Sequence, residues 1–356
     1  MRKGNLKKWL SVIGGTAIIL TSCEKTDPGS NNFTADNLEG MFVVCEGDYG
    51  KANGDITFFC SDLFQSAKSL YYDVNGVALG DVIESFAIAD TLGFIVVNNS
   101  QKVTVVDMRD FTHIKTINGF SYPRSVVRAD ENSIYVSNGN GYSDNYIYKI
   151  DLSTLTKADS LEVTSGPEKL LVVNSKVYAA IAGGWKNDGN TVVEINPASF
   201  TIVGNYEVAS VPLDIVNDKN NNLWVYCKGV ASYDENWNAS YSNSGISLIN
   251  TSTKAVKSFP LSSMSASGVN NIAASSDGSI IYYLNDGLYS MSVTNTDLPA
   301  QKLSENLYYG IDVDPNSGHI ICLDAVNSKA VVYDADFVEQ YSFETGKFPT
   351  SVIFSY

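Results

Sequence analysis

The chain has 356 residues, of which 24 are basic and 39 acidic, giving a formal net charge of −15 at pH 7. Such an acidic surface repels the phosphate backbone of DNA and RNA, so we expect no nucleic-acid partner. Hydrophobic residues make up 44% of the chain, which is enough to form a sizeable core.

The N-terminal segment has the composition of a secretory signal. Basic residues precede a short apolar run over Trp9–Leu20, which is too short to span a bilayer as a helix. The sequence LTSC at positions 20–23 is similar to a bacterial lipobox, in which the cysteine becomes the lipidated first residue. We therefore predict a lipoprotein signal peptide over residues 1–22 and a lipid anchor at Cys23. The alternative is an ordinary secretory signal followed by an unrelated cysteine.

The segment that follows is predicted to be a flexible tether over residues 23–38. It is rich in Asp, Asn, Ser, Thr, Gly and Pro and cannot bury a core. Residues 39–356 form one array of repeats and are best treated as a single domain. No CxxC spacing occurs, and we expect the remaining cysteines to be free thiols. These are Cys45, Cys60, Cys227 and Cys322.

One strand pattern recurs seven times in this domain. Its members are rich in Val, Ile and Tyr, end in Asn, Asp or Gly, and begin at Met41, Gly93, Ser133, Lys176, Asn222, Ile280 and His319. A second strand follows each of them, beginning at Asp55, Lys102, Tyr146, Thr191, Gly245, Gly287 and Lys329. Most repeats add one strand before and one after this pair. A unit of four short strands, repeated at roughly 40–45 residues, predicts the blades of a β-propeller.

The two ends of the array complement each other. The first repeat lacks the strand that precedes the pair, and the chain ends with an isolated strand pattern, PTSVIFSY, from Pro349. We therefore predict an all-β, seven-bladed propeller of four-stranded antiparallel blades, closed by the C-terminal strand in the first blade. An open β-solenoid is the alternative, but it needs no displaced terminal strand.

The two faces of such a propeller differ in their loops. The loops between the second and third strands and between blades share one face, and several are long and carry aromatic residues among Gly, Asn, Asp and Ser. Loops of this composition are typical of binding surfaces. The predicted ligand-binding residues are Tyr49, Phe120, Tyr142, Trp185, Tyr233, Trp237, Tyr241 and Phe348.

Catalytic signals are weak. His113 is predicted in an outer strand and His319 at a turn of the opposite face, so no Ser or Cys in the long loops has a histidine partner. Carboxylates do occur in these loops, at Glu46, Asp48, Asp144, Asp188, Asp234 and Glu235. They have no calcium-loop spacing, and we expect them to be solvated, with Ca²⁺ binding or acid–base catalysis as alternatives. No catalytic residue, metal site or cofactor is therefore predicted.

The repeat strands resemble the YncE-type seven-bladed propellers over nearly the whole mature chain. Together with the lipobox and the aromatic loops, they are similar to Bacteroidetes surface lipoproteins of that group, among them the BtuG-type proteins that capture vitamin B12. This resemblance implies an outer-membrane, cell-surface lipoprotein that binds cobalamin and passes it to a TonB-dependent transporter. No motif transfers the ligand contacts of that group residue by residue.

Three hypotheses follow. The first is a non-catalytic protein that binds cobalamin, with a glycan as the rival ligand because sugar rings also stack on Trp. The second is a calcium-dependent lactonase or lyase, which needs a metal among Asp144, Asp188 and Asp234. The third is an interaction protein whose long-loop face contacts another surface protein.

Overall fold

The computed structural model describes residues 38–61, 64–261 and 271–356, except for the side chains of residues 239–242. The predicted signal peptide, the lipid anchor at Cys23 and all but the last residue of the predicted tether lie outside this range. That last residue, Leu38, is buried in the core beside blade one. The propeller therefore includes it.

The described residues form seven sheets arranged as blades. Blade one contains β1 (Gly40–Cys45), β2 (Asp55–Cys60) and β3 (Gln65–Ala67), and the short helix α1 (Leu70–Asn75) follows it. Blade two contains β4 (Ile83–Ala89), β5 (Leu92–Val97), β6 (Lys102–Asp107) and β7 (His113–Asn118). Blade three contains β8 (Pro123–Arg128), β9 (Ser133–Asn138), β10 (Tyr146–Asp151) and β11 (Thr156–Glu162). Blade four contains β12 (Pro167–Val173), β13 (Lys176–Ile181), β14 (Thr191–Asn196) and β15 (Thr201–Glu207).

The remaining blades carry one insertion and one shorter sheet. Blade five contains β16 (Pro212–Asn217), β17 (Leu223–Cys227), β20 (Gly245–Ile249) and β21 (Val256–Pro260), with an inserted hairpin of β18 (Val230–Tyr233) and β19 (Ala239–Ser242). Blade six contains β22 (Ile272–Ala274), β23 (Ile280–Leu284) and β24 (Leu288–Ser292). Blade seven contains β25 (Gly310–Val313), β26 (Ile320–Asp324), β27 (Lys329–Tyr333) and β28 (Glu339–Glu344). The last strand, β29 (Pro349–Ser355), joins blade one.

The predicted closure is confirmed. Strand β29 pairs antiparallel with β1, with Met41 opposite Phe354 and Val43 opposite Val352. The innermost strands contact one another around the ring, and β29 contacts β4 to complete it. Blade six differs from the prediction, because its described part has three strands and only an isolated bridge between Leu288 and Ser304 where a fourth would lie.

Alternation along the strands explains how the blades hold together. In β1, Phe42 and Val44 pack toward blade two, whereas Val43 and Cys45 pack toward blade seven. Successive side chains of a strand point to opposite faces, so each blade buries apolar groups against both neighbours. One buried cluster lies at each of the seven blade junctions in the described part of the chain. Each fully buried aliphatic or aromatic side chain contributes about 1.5–3 kcal/mol to this packing.

The cysteines divide into two groups. Cys45, Cys227 and Cys322 are free and buried, as predicted. Burial raises the pKa of the Cys45 and Cys227 thiols to about 12, although hydrogen bonds from neighbouring groups oppose this shift. These thiols are therefore inert at neutral pH. Cys60 is not among these free cysteines, so the prediction of a free thiol there is not confirmed.

Candidate functional site

Most of the predicted binding residues are exposed on the face that carries the long loops. We call this the long-loop face, and define it as the second–third strand loops and the connections between blades. Trp237 is 82% exposed and Tyr49 is 78% exposed. Tyr142, Trp185, Tyr233 and Phe348 are also exposed. These rings are available to a ligand without any rearrangement of the core.

Trp185 is exposed but held in a fixed position. It lies in a single 3₁₀ turn, Gly184–Lys186, in the loop of blade four. Its backbone N–H donates to the carbonyl of Asn140 at 2.9 Å, and its indole Nε1 donates to the Tyr122 hydroxyl at 3.1 Å. The Trp185 and Tyr122 rings meet edge to face at 5.1 Å. A rigid aromatic ring of this kind loses little conformational entropy when a ligand binds.

The blade-four loop can approach blade three because of a glycine. Gly184 has φ +54°, and a Cβ atom at this position would lie 2.3 Å from the carbonyl carbon of Asn140. No other residue fits such a close backbone contact without displacing the loop. The position of Trp185 therefore depends directly on Gly184.

The inserted hairpin of blade five presents two further aromatic rings. Tyr233 ends β18 and Trp237 lies in the turn before β19, with their ring centroids 6.1 Å apart. Asp234 closes this turn by accepting hydrogen bonds from the backbone N–H groups of Asn236 and Asn238, both at 2.8 Å. Tyr241 is in β19 opposite Ala231, but its side chain is outside the described part of the structure.

The other predicted rings have separate surroundings. The Lys186 ammonium lies 5.1 Å from the centroid of Tyr142, and Phe348 meets Tyr309 at 6.1 Å. Phe120 is only 4% exposed, because it packs in the core between blades two and three. Its ring contacts Tyr148 edge to face at 5.4 Å. It therefore belongs to the blade junction, and the structure does not place it among the rings open to a ligand.

The loop carboxylates are engaged in local contacts. Asp48 accepts a hydrogen bond from Lys347 at 2.6 Å, and Asp188 accepts one from Ser165 at 2.8 Å. Asp144 accepts from Tyr148 at 3.0 Å. No group of three or more His, Cys, Asp or Glu residues capable of holding a metal occurs among the described residues.

A cavity that sequence analysis missed lies in the central channel. Its volume is about 520 Å³, and the innermost strands of six blades line it together with loop residues of the long-loop face. Its charged lining residues are Glu46, Glu84, Arg124, Glu168, Lys169, Lys228 and Asp312. Val127, Leu171 and Ile353 add apolar surface. The cavity combines charged groups with an apolar wall, which is common in small-molecule sites.

β-Bulges explain how charged residues enter this channel. The pairing of each innermost strand shifts register near its start in blades one to five. The residues skipped by these shifts are Glu84, Arg124, Ser125, Glu168, Lys169, Leu213 and Thr350, and all of them line the cavity. A bulge inserts an unpaired residue and redirects its side chain. A bulge of this kind thus recurs at the start of the innermost strand in blades one to five.

An ion network joins three blades within the cavity. The Arg124 guanidinium donates to Glu168 at 2.7 Å and also pairs with Glu84. Burial disfavours the charge on Arg124, but the two carboxylates outweigh this effect and raise the pKa of its guanidinium. Arg124 also lies 5.4 Å from the centroid of Tyr122, so the network reaches the ring that supports Trp185.

Two carboxyl groups of the cavity have strongly shifted pKa values. Burial raises the pKa of Glu46 to about 7, against the hydrogen bond that the Tyr309 hydroxyl donates to it at 3.1 Å. Burial likewise raises the pKa of Glu84 to about 7, although Arg124 opposes the shift. Both groups are therefore partly protonated at neutral pH.

A second ion pair lies deeper in the wall. Lys169 pairs with Asp214 at 3.4 Å, and Asp214 is 1% exposed. Burial opposes the charge of Lys169, but the carboxylates of Asp214 and Asp312 raise its pKa above the usual value. Asp312 accepts a hydrogen bond from the backbone of Val352 at 2.7 Å. This lysine therefore stays protonated.

One signal in the sequence could have revealed the cavity. Glu84, Arg124 and Glu168 occupy the same position of successive repeats, at the start of strands that are otherwise mostly apolar. The histidines lie elsewhere, as predicted: His113 begins the outer strand β7, and His319 precedes β26 on the opposite face.

Comparisons with known proteins identify one family and several structures with a similar fold. A family model described as "Domain of unknown function (DUF5074)" matches residues 39–355. Among solved structures, a quinonprotein alcohol dehydrogenase-like protein from Bacteroides thetaiotaomicron is 17% identical, with a TM-score of 0.64 over 89% of this chain and 78% of that one. Hydrazine synthase from Kuenenia stuttgartiensis is 15% identical, with a TM-score of 0.65 over 88% of this chain and 100% of that one.

A third similar structure is a putative 6-phosphogluconolactonase from Bacteroides fragilis. It is 13% identical, with a TM-score of 0.61 over 92% of this chain and 100% of that one. At these identities the likeness shows the propeller fold alone. No curated protein matches the chain. In the described part of the chain, no helix has the length and apolar character needed to cross a membrane.

Proposed function

The chain belongs to the DUF5074 family, and we propose that it is a non-catalytic surface lipoprotein that binds cobalamin on its long-loop face. In this proposal the lipid anchor at Cys23 holds the propeller at the outer membrane, and the bound corrinoid passes to a TonB-dependent transporter. The proposal combines the resemblance of the sequence to vitamin B12-capturing lipoproteins with the geometry of the loops.

The main support for the proposal is the group of exposed aromatic side chains on the long-loop face. Trp185 is fixed by Asn140 and Tyr122, and the hairpin of blade five presents Tyr233 and Trp237. A corrinoid offers a broad apolar ring edged with amide arms. Flat indole and phenol rings can pack against its ring. Neighbouring Asp groups can accept hydrogen bonds from the amides, and Asn groups can both accept from them and donate to them.

The size of the cavity limits how such a ligand can bind. A whole cobalamin, with its nucleotide loop, is too large for a cavity of about 520 Å³. It must therefore lie across the mouth of the channel, in contact with the surrounding loops. This orientation makes the exposed rings of blades four and five the main anchors.

The position of the N-terminus agrees with a face that points away from the membrane. Leu38 donates to the Met108 carbonyl at 3.4 Å, and Met108 follows β6 at a turn of the opposite face. A lipid anchor at Cys23 would therefore favour an orientation in which the long loops face outward.

Isothermal titration with cyanocobalamin tests the proposal. We expect saturable binding to the wild-type protein and at least about a 30-fold increase in Kd for the Trp185→Ala/Trp237→Ala double variant, as for interface hot spots. The matched control is Tyr356→Ala, which removes an exposed ring after the end of β29 on the opposite face and should bind normally. Absence of binding by the wild-type protein to any cobalamin contradicts the proposal, and binding of a glycan alone would select the rival ligand.

A lactonase is the second candidate function. Two observations favour it: the Bacteroides fragilis neighbour is named a putative 6-phosphogluconolactonase, and Glu46 and Glu84 have pKa values of about 7, which suits acid–base catalysis. A lactonase predicts hydrolysis of gluconolactones that is lost in Glu46→Gln. The cobalamin proposal predicts no turnover of these lactones above the rate of a heat-denatured sample.

A further inference from the structure

We propose that the central cavity is a second binding site, distinct from the aromatic loops, and that it takes a compact organic ammonium ion with a short apolar body. The inference does not rest on the cobalamin proposal. It follows from the charges, the partners and the volume of the channel.

The charge balance of the cavity favours a cation. The lining groups and the partner of Lys169 together include the carboxyl groups of Glu46, Glu84, Glu168, Asp214 and Asp312. The cationic groups among the described lining residues are Arg124, Lys169 and Lys228. Carboxyl groups therefore outnumber cations, and an anionic ligand would add to the excess. The net charge of −15 for the whole chain adds a long-range attraction for cations.

The ion pairs of the cavity show which of its carboxyl groups has no cationic partner among the described residues. Arg124 is shared between Glu84 and Glu168, and Lys169 pairs with Asp214. Within the described residues, Glu46 has no ion pair, and its hydrogen-bond donor is the neutral hydroxyl of Tyr309. A largely buried carboxylate gains most from a charged donor. Glu46 is therefore the expected contact of the ammonium group.

The shape of the cavity limits the rest of the ligand. A volume of about 520 Å³ admits a small molecule, and the side chains of Val127, Leu171 and Ile353 offer it an apolar wall. A branched or linear chain of a few carbon atoms can cover this wall while its ammonium group meets Glu46. The hydroxyls of Tyr309, Ser85 and Ser351 also line the cavity and can accept hydrogen bonds from an ammonium group.

The protonation of Glu46 makes this binding depend on pH. The charged and titratable groups around it are Tyr309, Arg124 and Glu84, with Glu168, Lys169, Lys228 and Asp312 farther around the wall. Glu46 has a pKa of about 7, so it is mostly ionised at pH 8 and mostly protonated at pH 6. An aliphatic ammonium stays charged throughout this range. Affinity should therefore fall about tenfold between pH 8 and pH 6.

Three isosteric probes test the inference by titration calorimetry of the purified protein. They are isopentylamine, isopentyl alcohol and isovalerate. At pH 8 we expect the amine to bind at least about tenfold more tightly than the alcohol, because it adds a charge-assisted hydrogen bond to a carboxylate. We expect no binding of the carboxylate probe. Equal affinities for the amine and the alcohol, or no binding of the amine at pH 8, would overturn the inference.

Two variants locate the site. Glu46→Gln should reduce the affinity for isopentylamine to that for the alcohol and remove its dependence on pH. Glu344→Gln is the matched control, because Glu344 is an exposed carboxylate on the outer strand β28 that pairs with Lys68. It should bind the amine as the wild type does. Unchanged amine affinity in Glu46→Gln overturns the inference. If that variant does not fold, the probe ratio and the pH dependence of the wild type decide.

The outcome of this experiment is independent of the outcome of the cobalamin test. Loss of amine binding in Glu46→Gln does not require the loop tryptophans, and loss of cobalamin binding in the tryptophan double variant does not require Glu46. A protein that binds the amine but no cobalamin would retain this inference and lose the proposed function.

Discussion

The short turns and the central cavity of the propeller use carboxylates in opposite ways. On the face of short turns, Asp151 and Asp277 accept hydrogen bonds from the next residues of their own turns. These local donors lower the pKa of both carboxyls, that of Asp277 to about 2. In the central cavity, burial raises the pKa values of Glu46 and Glu84 to about 7.

The difference shows which carboxyl groups find no hydrogen-bond donors within their own loop. A turn aspartate finds donors two or three residues away, so its charge is fully compensated within one loop. The cavity carboxylates depend on residues from other blades, such as Arg124 and Tyr309. The short-turn face is therefore a set of closed connectors. The cavity keeps groups to which a ligand can still donate hydrogen bonds.

The largest expected effect comes from removing the central cation. Arg124→Met leaves Glu84 and Glu168 without their shared partner, and we expect a loss of about 3–5 kcal/mol in the free energy of unfolding. Arg128→Met is the matched control in the same strand, because Arg128 pairs with exposed Asp90 at the opposite end of β8. It should cost less than about 1 kcal/mol. Urea unfolding of both variants measures the difference. Equal losses would show that the buried network contributes no more to stability than the exposed pair of Arg128 and Asp90.

The second prediction concerns the loop that holds Trp185. Gly184→Ala forces a Cβ atom against the Asn140 carbonyl carbon, so we expect a loss of about 2–3 kcal/mol and weaker cobalamin binding. Gly50→Ala is the control, because Gly50 has φ +74° but open space around it. It should cost only about 1 kcal/mol. Thermal unfolding and titration calorimetry on the two variants separate close contact from backbone strain, and equal effects would contradict this explanation.

The third prediction uses the raised pKa of Glu46. Its carboxyl has a higher pKa in the folded protein than in the unfolded chain, so its contribution is complete below about pH 4.5 and is lost as pH rises through 7. We expect Glu46→Gln to reduce the fall in stability between pH 5 and pH 8 by about 1–3 kcal/mol. Urea unfolding at several pH values measures this. An unchanged slope in the variant would mean that Glu46 ionises freely in the folded protein.

The smallest effect is expected at the opposite face. The lowered pKa of Asp277 gives a contribution that is present above about pH 4 and lost as pH falls toward 2. Asp277→Asn should therefore cause a small loss of stability above about pH 4 and no change near pH 2, which removes a small part of the acid sensitivity. Thermal melts from pH 2 to pH 7 test this expectation. A large loss at neutral pH would show that this turn is more than a connector.

The sequence predicted the fold because its signals are local and repeated. Seven alternating strand pairs and the strand after Pro349 were enough to predict the closed ring. The loops with Trp185 and Trp237 were also predictable, since Gly and Asn around an aromatic residue favour exposed turns. The missing fourth strand of blade six in the described residues is an exception, and there the sequence gives only a weak strand pattern.

The remaining features depend on contacts between distant residues. Glu84, Arg124 and Glu168 meet only because β-bulges redirect their side chains into one channel. No local sequence pattern predicts such a register shift. Phe120 lies in a connector whose composition does not reveal that its ring packs inward against Tyr148. Tertiary packing thus decides which residues of a connector reach the surface.

Hydrogen–deuterium exchange with and without cyanocobalamin tests the central claim most directly, because it compares both faces in one experiment. The account predicts slower exchange in the loops over residues 139–145, 182–190 and 228–238, where the exposed rings lie. Peptides that cover the short turns around Asp151 and Asp277 should exchange as in the free protein. Unchanged exchange in the three loops, or protection confined to the short turns, would contradict the assignment of ligand binding to the long-loop face.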